Sequence, residues 1–259
     1  MPPRIPTEAD FADLSTSLPH ALHFPSPREA TTSIMILFHG LGDSEVPFHT
    51  FARNLSLPGV LAISIRGTSP VPPSLLPEAS VDDKGHYHWG DDINMDPATG
   101  ELDEDPGFEK ASGLVMQKLV REVLLDKCGW EWNDVLLFGF GQGGSLALGI
   151  AAKLSAGERI TDVTDTSSQS KSARACKGAL SIGGPLPLSM VSSVSNRQKC
   201  PTSVLVCQFQ SEQVEAVKRE FADVRVVNWR RRDVAMPRDR DEVFPLMKFF
   251  ADCLNRGWS

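Results

Sequence analysis

The sequence predicts an α/β fold, a mainly parallel sheet with helices on both faces. Three observations predict it: short apolar runs bounded by turn residues recur along the chain, they are apolar throughout, and helical patterns lie between them. The runs are Ser33 to Phe38, Gly59 to Ile65, Val135 to Phe140, Gly178 to Ile182, Ser203 to Cys207 and Val224 to Trp229, and each is expected as a buried strand. The clearest helix covers Phe108 to Lys127. There Val115, Leu119 and Val123 repeat every four residues, and Met116, Val120 and Leu124 widen the apolar face. A last helix is expected from about Asp239 to Asn255, with Val243, Leu246, Met247, Phe250 and Leu254 as its inward stripe.

The chain has 259 residues, 41% of them apolar, enough to bury a sizeable core, and one domain over residues 1–259 is expected. Two segments read as irregular. Thr68 to Asp105 is rich in Pro, Gly and Asp, and residues 161–175 are polar without periodicity, as a disordered surface insertion would be. No internal repeat points to a solenoid or propeller. A net charge of -7 argues against nucleic acid as a partner, which would call for a basic patch. The five cysteines are scattered and never in a CxxC spacing, which fits reduced thiols in the cytoplasm rather than zinc or a redox pair. The first residues lack an apolar signal core and no later run approaches a membrane span, so no stable membrane insertion is expected.

The run Gly139, Phe140, Gly141, Gln142, Gly143, Gly144 ends one of the strands and opens the apolar helix SLALGIAAKL. A strand, a tight turn and a helix is the arrangement of the nucleophile elbow GxSxG, in which flanking glycines let a serine stand clear at the helix N-terminus. Here the central residue is Gly141, which has no side chain to attack with. A bare phosphate-cradling turn is the competing reading, since helix N-termini attract anions. However, the run contains no GxGxxG and no GK[ST] follows it, so no cofactor is called for.

At this point the chain resembles the acyl-protein thioesterase and carboxylesterase family of α/β-hydrolases, whose elbow reads GFSQGG. The resemblance extends to Phe38, His39, Gly40, Leu41, Gly42 and Asp43, similar to the family's oxyanion loop, and to His88, Trp89, Gly90, Asp91 and Asp92 after a proline-rich run. It implies an α/β-hydrolase fold, an acyl or ester ligand or an acylated protein as partner, and oxyanion donors at the backbone amides of Leu41 and Gln142. It also implies a triad in the order nucleophile, acid, histidine. All six histidines precede Gly141, and the place expected for the base falls near Met236, which cannot shuttle a proton. Glu212 stands near the acid's place, but the reading favoured for it is an ordinary helix-start glutamate.

Other residues are weighed against plainer roles. Ser145 matches a relaxed GxSxA but would lie one turn inside the helix, where packing or bonding to a preceding carbonyl is expected. His86, His88, Asp91 and Asp92 have the residue types of a zinc site, but a polar rim is the simpler reading and no metal is assigned. His39 is expected to brace its loop. Trp89 and the run Pro70 to Pro77 fit a wall of an apolar acyl groove, and a core or lid role fits them as well. Arg230 to Arg232 reads as a solvated charge cluster.

The function expected from these residues is a catalytically deficient pseudohydrolase that binds acyl or ester ligands or a protein partner. The competing expectation is an active carboxylic-ester or palmitoyl-protein thioester hydrolase with a non-standard nucleophile. A third is a paralogue that regulates an active enzyme.

Overall fold

The aliphatic runs pair into a seven-stranded sheet in the computed structural model, which describes residues 3–76, 85–95, 102–156, 174–191 and 198–256. The strands are β1 (His20–His23), β2 (Ser33–Phe38), β3 (Val60–Ile65), β6 (Val135–Phe140), β7 (Gly178–Ile182), β8 (Cys200–Cys207) and β9 (Phe221–Val227). Their order across the sheet is β1-β3-β2-β6-β7-β8-β9. Only β1 runs antiparallel to its neighbour. A short antiparallel pair, β4 (Ser69–Pro70) and β5 (Tyr87–His88), follows β3.

The helices are α1 (Glu45–Leu55), α2 (Glu109–Gly113) with its π-helical continuation Leu114–Lys127, α3 (Gln142–Ala156), α4 (Ser211–Glu220) and α5 (Arg240–Asn255). Successive strand side chains point to opposite faces. Ile34, Ile36 and Phe38 therefore enter one core with the π-helical run, α3 and α4. Met35 and Leu37 enter the other with α1 and α5. Burying a side chain such as Phe38 stabilises the fold by about 2–3 kcal/mol, and both faces being covered is why these strands are apolar throughout.

Where prediction and structure differ, local polar contacts explain it. Strand β8 begins at Cys200 because its polar residues find partners: Thr202 Oγ1 accepts from the Cys176 amide at 3.1 Å, and the Ser203 hydroxyl donates to Asp223 at 2.6 Å. Strand β9 starts correspondingly early, with Phe221 opposite Cys200. The edge strand β1, HALH, is too short and too polar to announce itself. The buried stripe of α5 is rotated from the expected one, with Glu242, Phe249 and Cys253 inside and Val243, Met247 and Leu254 at the margin. Residues 161–173 of the predicted insertion lie outside the described residues, and Arg174 and Ala175 lead towards β7. Among the described residues no helix is long and apolar enough to cross a membrane.

Candidate active site

Loops at the carboxyl ends of parallel strands are where α/β sheets place their sites. The ends of β2, β6, β7 and β8 meet here around one turn. Gly141 joins β6 to α3 with φ +49°, a left-handed conformation that L side chains seldom adopt. Its N–H donates to the Ile182 carbonyl at 2.9 Å, and its carbonyl accepts from Gly144 and Ser145. A Cβ at this position would meet nothing nearer than Gly40 Cα at 3.9 Å.

Its glycine neighbours have no such room. A Cβ on Gly139 would strike the Gly143 carbonyl, and one on Gly143 the carbonyls of His39 and Phe38. One on Gly144 would strike the Ser181 hydroxyl. Three glycines of the turn are thus required by close packing, whereas Gly141 occupies a strained, open position of the kind that presents a nucleophile.

Leu41 and Gln142 come together and line one small cavity with Asp92, Asn94, Leu102 and Asp103. Neither of their amide N–H groups has a hydrogen-bond partner among the described residues. An adjoining cavity of about 250 Å³ shares Leu41, Ile93 and Leu102 and is otherwise walled by Val71, Leu75, Leu76 and His86. The proline-rich run therefore does supply an apolar wall.

Trp89 does not. It is fully buried in the core behind the site, so its reading as a pocket wall is corrected. Its indole N–H donates to the His39 carbonyl at 2.8 Å, and its amide donates to Gln142 Oε1 at 2.7 Å, tying the elbow to the oxyanion loop. His39 braces that loop as expected. Its Nδ1–H donates to the Gly40 carbonyl at 2.7 Å, and Nε2 accepts from the Gly67 amide at 2.8 Å. Burial pulls its pKa down to about 4, so the ring is held neutral with both nitrogens engaged.

Neither of the other two positions that the family resemblance marks for a triad, 212 and 236, is a histidine. Glu212 is exposed in the first turn of α4, a position that favours an acid on dipole grounds. Met236 packs against the core shared by α1 and α5. The loop carrying it is held by contacts that sequence reading missed. Arg231 bonds both Glu242 oxygens, at 2.7 and 3.1 Å, together with Asp233 and the carbonyls of Ala235 and Met236. Gln208, itself left-handed at φ +62°, donates to the Arg231 carbonyl at 2.8 Å and accepts from the Trp229 amide at 2.5 Å. Arg230 and Arg232 are exposed, but Arg231 is not the solvated charge the sequence led us to expect, because its guanidinium is largely enclosed against Glu242 and the Ala235 and Met236 carbonyls. The only advance signal was an arginine followed by an acid eleven residues later.

Ser145 is buried within the first turn of α3 and its amide bonds back to Gly141, so it is not presented to a substrate. The residues of the HYHWGDD run do not gather on one point. Asp91 spends both oxygens on the amides of Glu109 and Lys110, and His88 is buried. No group of three His, Cys, Asp or Glu side chains converges among the described residues.

Comparison with known proteins agrees with this geometry. The sequence matches the phospholipase/carboxylesterase family over residues 21–218. It is 32% identical over 163 residues to an uncharacterized hydrolase of Schizosaccharomyces pombe, covering 63% of this chain and 57% of that protein. It is 31% identical over 129 residues to an uncharacterized hydrolase of Mycosarcoma maydis, covering 49% of this chain and 44% of that protein. The chain thus spans about half the length of the curated relatives it matches. The fold is similar to that of acyl-protein thioesterase 2 from Zea mays, with TM-score 0.62 at 15% identity over 91% of this chain and 99% of that one. It is also similar to a Bacillus cereus carboxylesterase, with TM-score 0.60 at 14% identity over 95% and 100%. The elbow turn, the open amides at its mouth and the sequence match over most of its length agree: the chain belongs to the phospholipase/carboxylesterase family of α/β-hydrolases.

Proposed function

We propose that this protein is a catalytically deficient hydrolase homologue that binds acyl or ester ligands at the degenerate elbow. The observation that carries the reading is Gly141, which keeps the strained φ and the open space of a nucleophile position while having no nucleophile. Two further features support it. Every histidine of the sequence precedes Gly141, and Met236 stands in a loop organised by Arg231 and Gln208. The amides of Leu41 and Gln142 remain able to donate to a carbonyl oxygen, so binding survives the loss of chemistry. Where triad members are removed from serine hydrolases, binding and the oxyanion hole alone retain about 10^3-fold acceleration over water. A trace of turnover at that level is compatible with the reading. We place the protein in the cytoplasm as one domain, a setting that suits five buried cysteines, none of them in a disulfide.

The test is hydrolysis of a short acyl thioester by the purified chain, beside Gly141→Ser and the double variant Gly141→Ser, Met236→His. The parent should be silent and the double variant should gain activity. Turnover by the parent that titrates stoichiometrically with a covalent serine probe would overturn the proposal and support a working hydrolase with another nucleophile.

A further inference from the structure

The cavity of about 250 Å³ beside the elbow is apolar except at His86, the one titratable side chain among the described residues that line it. Its backbone is fixed on both sides. The His86 carbonyl accepts from the Val71 amide at 2.7 Å, and Tyr87 is zipped to the oxyanion loop: the Gly42 amide donates to the Tyr87 carbonyl at 2.9 Å, and the Tyr87 amide to the Asp43 carbonyl at 3.1 Å. The ring is tied to the same loop, its Nδ1–H donating to the Gly42 carbonyl at 2.7 Å. Because a carbonyl can only accept, this bond sets the tautomer, and the neutral ring keeps its lone pair on Nε2. His86 is half-buried, whereas His39 and His88 are enclosed. Asp43 faces it from the oxyanion loop, close enough for the two charges to interact, and the Glu45–Arg66 ion pair packs against Tyr87. Leu41, whose amide is one of the two open donors, lines the same cavity, so an imidazole and an oxyanion donor share one wall.

We propose that His86 is a general base that drives slow hydrolysis of activated acyl esters by water in this site, with no covalent intermediate. The proposal rests on the acyl-binding reading above and adds an activity and the residue that carries it. Nε2 takes a proton from a water whose oxygen attacks the acyl carbon. The carbonyl electron pair moves onto the carbonyl oxygen, which accepts from the Leu41 and Gln142 amides. When the intermediate collapses, the bond from the acyl carbon to the leaving oxygen breaks. The imidazolium, stabilised by Asp43, returns its proton to that oxygen, and the products are the acid and the alcohol.

The test is hydrolysis of 4-nitrophenyl hexanoate by the full chain, pretreated with a covalent serine probe, beside His86→Gln and a control, His49→Gln, which lies on α1 and lines neither cavity. Binding is measured separately by titration with the amide analogue N-(4-nitrophenyl)hexanamide. In the parent kcat should rise with pH between about pH 5 and 8 through one deprotonation, fall in D2O, and show no burst. His86→Gln should lose the pH rise and about 10^2-fold in kcat while binding the amide as the parent does, and His49→Gln should match the parent. A loss confined to KM, with the pH rise intact, would mean that the ring only braces the Gly42 carbonyl and would overturn the proposal. An equal loss in His49→Gln would overturn the assignment to His86, and a nitrophenolate burst stoichiometric with the chain would overturn general-base catalysis in favour of a nucleophile. The pH profile, the D2O effect and the burst are read on the parent, so they decide the proposal even where His86→Gln fails to fold. Absence of turnover with the amide still bound would overturn the base and leave acyl binding intact, and failure of the amide to bind would overturn the acyl-binding reading itself.

Discussion

Substituting serine at two glycines of one turn separates an open nucleophile position from an ordinary glycine-rich bend. At Gly141 the cost is conformational, because an L residue at φ +49° gives up about 1–2 kcal/mol and the nearest atom to its Cβ is 3.9 Å away. At Gly143 the new Cβ falls on the carbonyls of Phe38 and His39, which are backbone and can yield only by displacing the oxyanion loop. A collision of that kind costs about 4 kcal/mol or more. For a chain of this size, each kcal/mol lowers Tm by about 2–4 °C. Gly141→Ser should therefore melt about 2–8 °C below the parent, and Gly143→Ser should melt more than about 8 °C below it or fail to fold. Circular dichroism melts at one scan rate, checked by urea unfolding, measure both. Equal losses, or a Gly141→Ser variant that does not fold, would show that the position is not open and that the turn is no elbow.

Three further outcomes are expected. His39 has a folded pKa of about 4 against an ordinary 6.5, so between those values the unfolded chain binds a proton that the folded chain refuses. Stability then rises with pH through this window, by about 3 kcal/mol, and is complete above it. Urea titrations at several pH values should show that slope in the parent and a flatter one in His39→Gln, and equal slopes would refute the assignment. Arg231→Met should release the Met236 loop, seen as about tenfold faster amide exchange at Val234 to Met236 with the sheet amides unchanged; unaltered exchange would mean that the network does not hold the loop. Trp89→Phe should cost about 1–2 kcal/mol in urea unfolding through the lost bond to the His39 carbonyl, whereas an unchanged unfolding midpoint would mean that this bond does not stabilise the fold.

Much of the architecture was legible because each buried strand must be apolar on both faces, and such runs stand out against polar turns. The elbow was legible for a related reason. Gly139, Gly143 and Gly144 are glycines because backbone or side-chain atoms lie where a Cβ would be, and so steric need wrote the motif into the sequence. The rotated stripe of α5 was not legible, because Glu242 is drawn inside by an arginine on a separate loop. Trp89 misled for the same kind of reason: its exposure depends on His39 and Phe38, which lie some fifty residues away in the chain.

The sequence by itself determined the class of fold, the place of the glycine-rich turn, the glycine at its centre and the absence of any histidine after it, since these are matters of residue identity and local period. Only the tertiary structure decided that Gly141 is open while its neighbours are closed, that Ser145 is buried, and that Arg231 and Gln208 hold the loop where a base would stand. It also decided that Leu41 and Gln142 line one small cavity. Those facts depend on which distant segments pack within a few ångströms of one another. Neither composition nor periodicity encodes such contacts, because they are set by how the sheet and its helices close around the core.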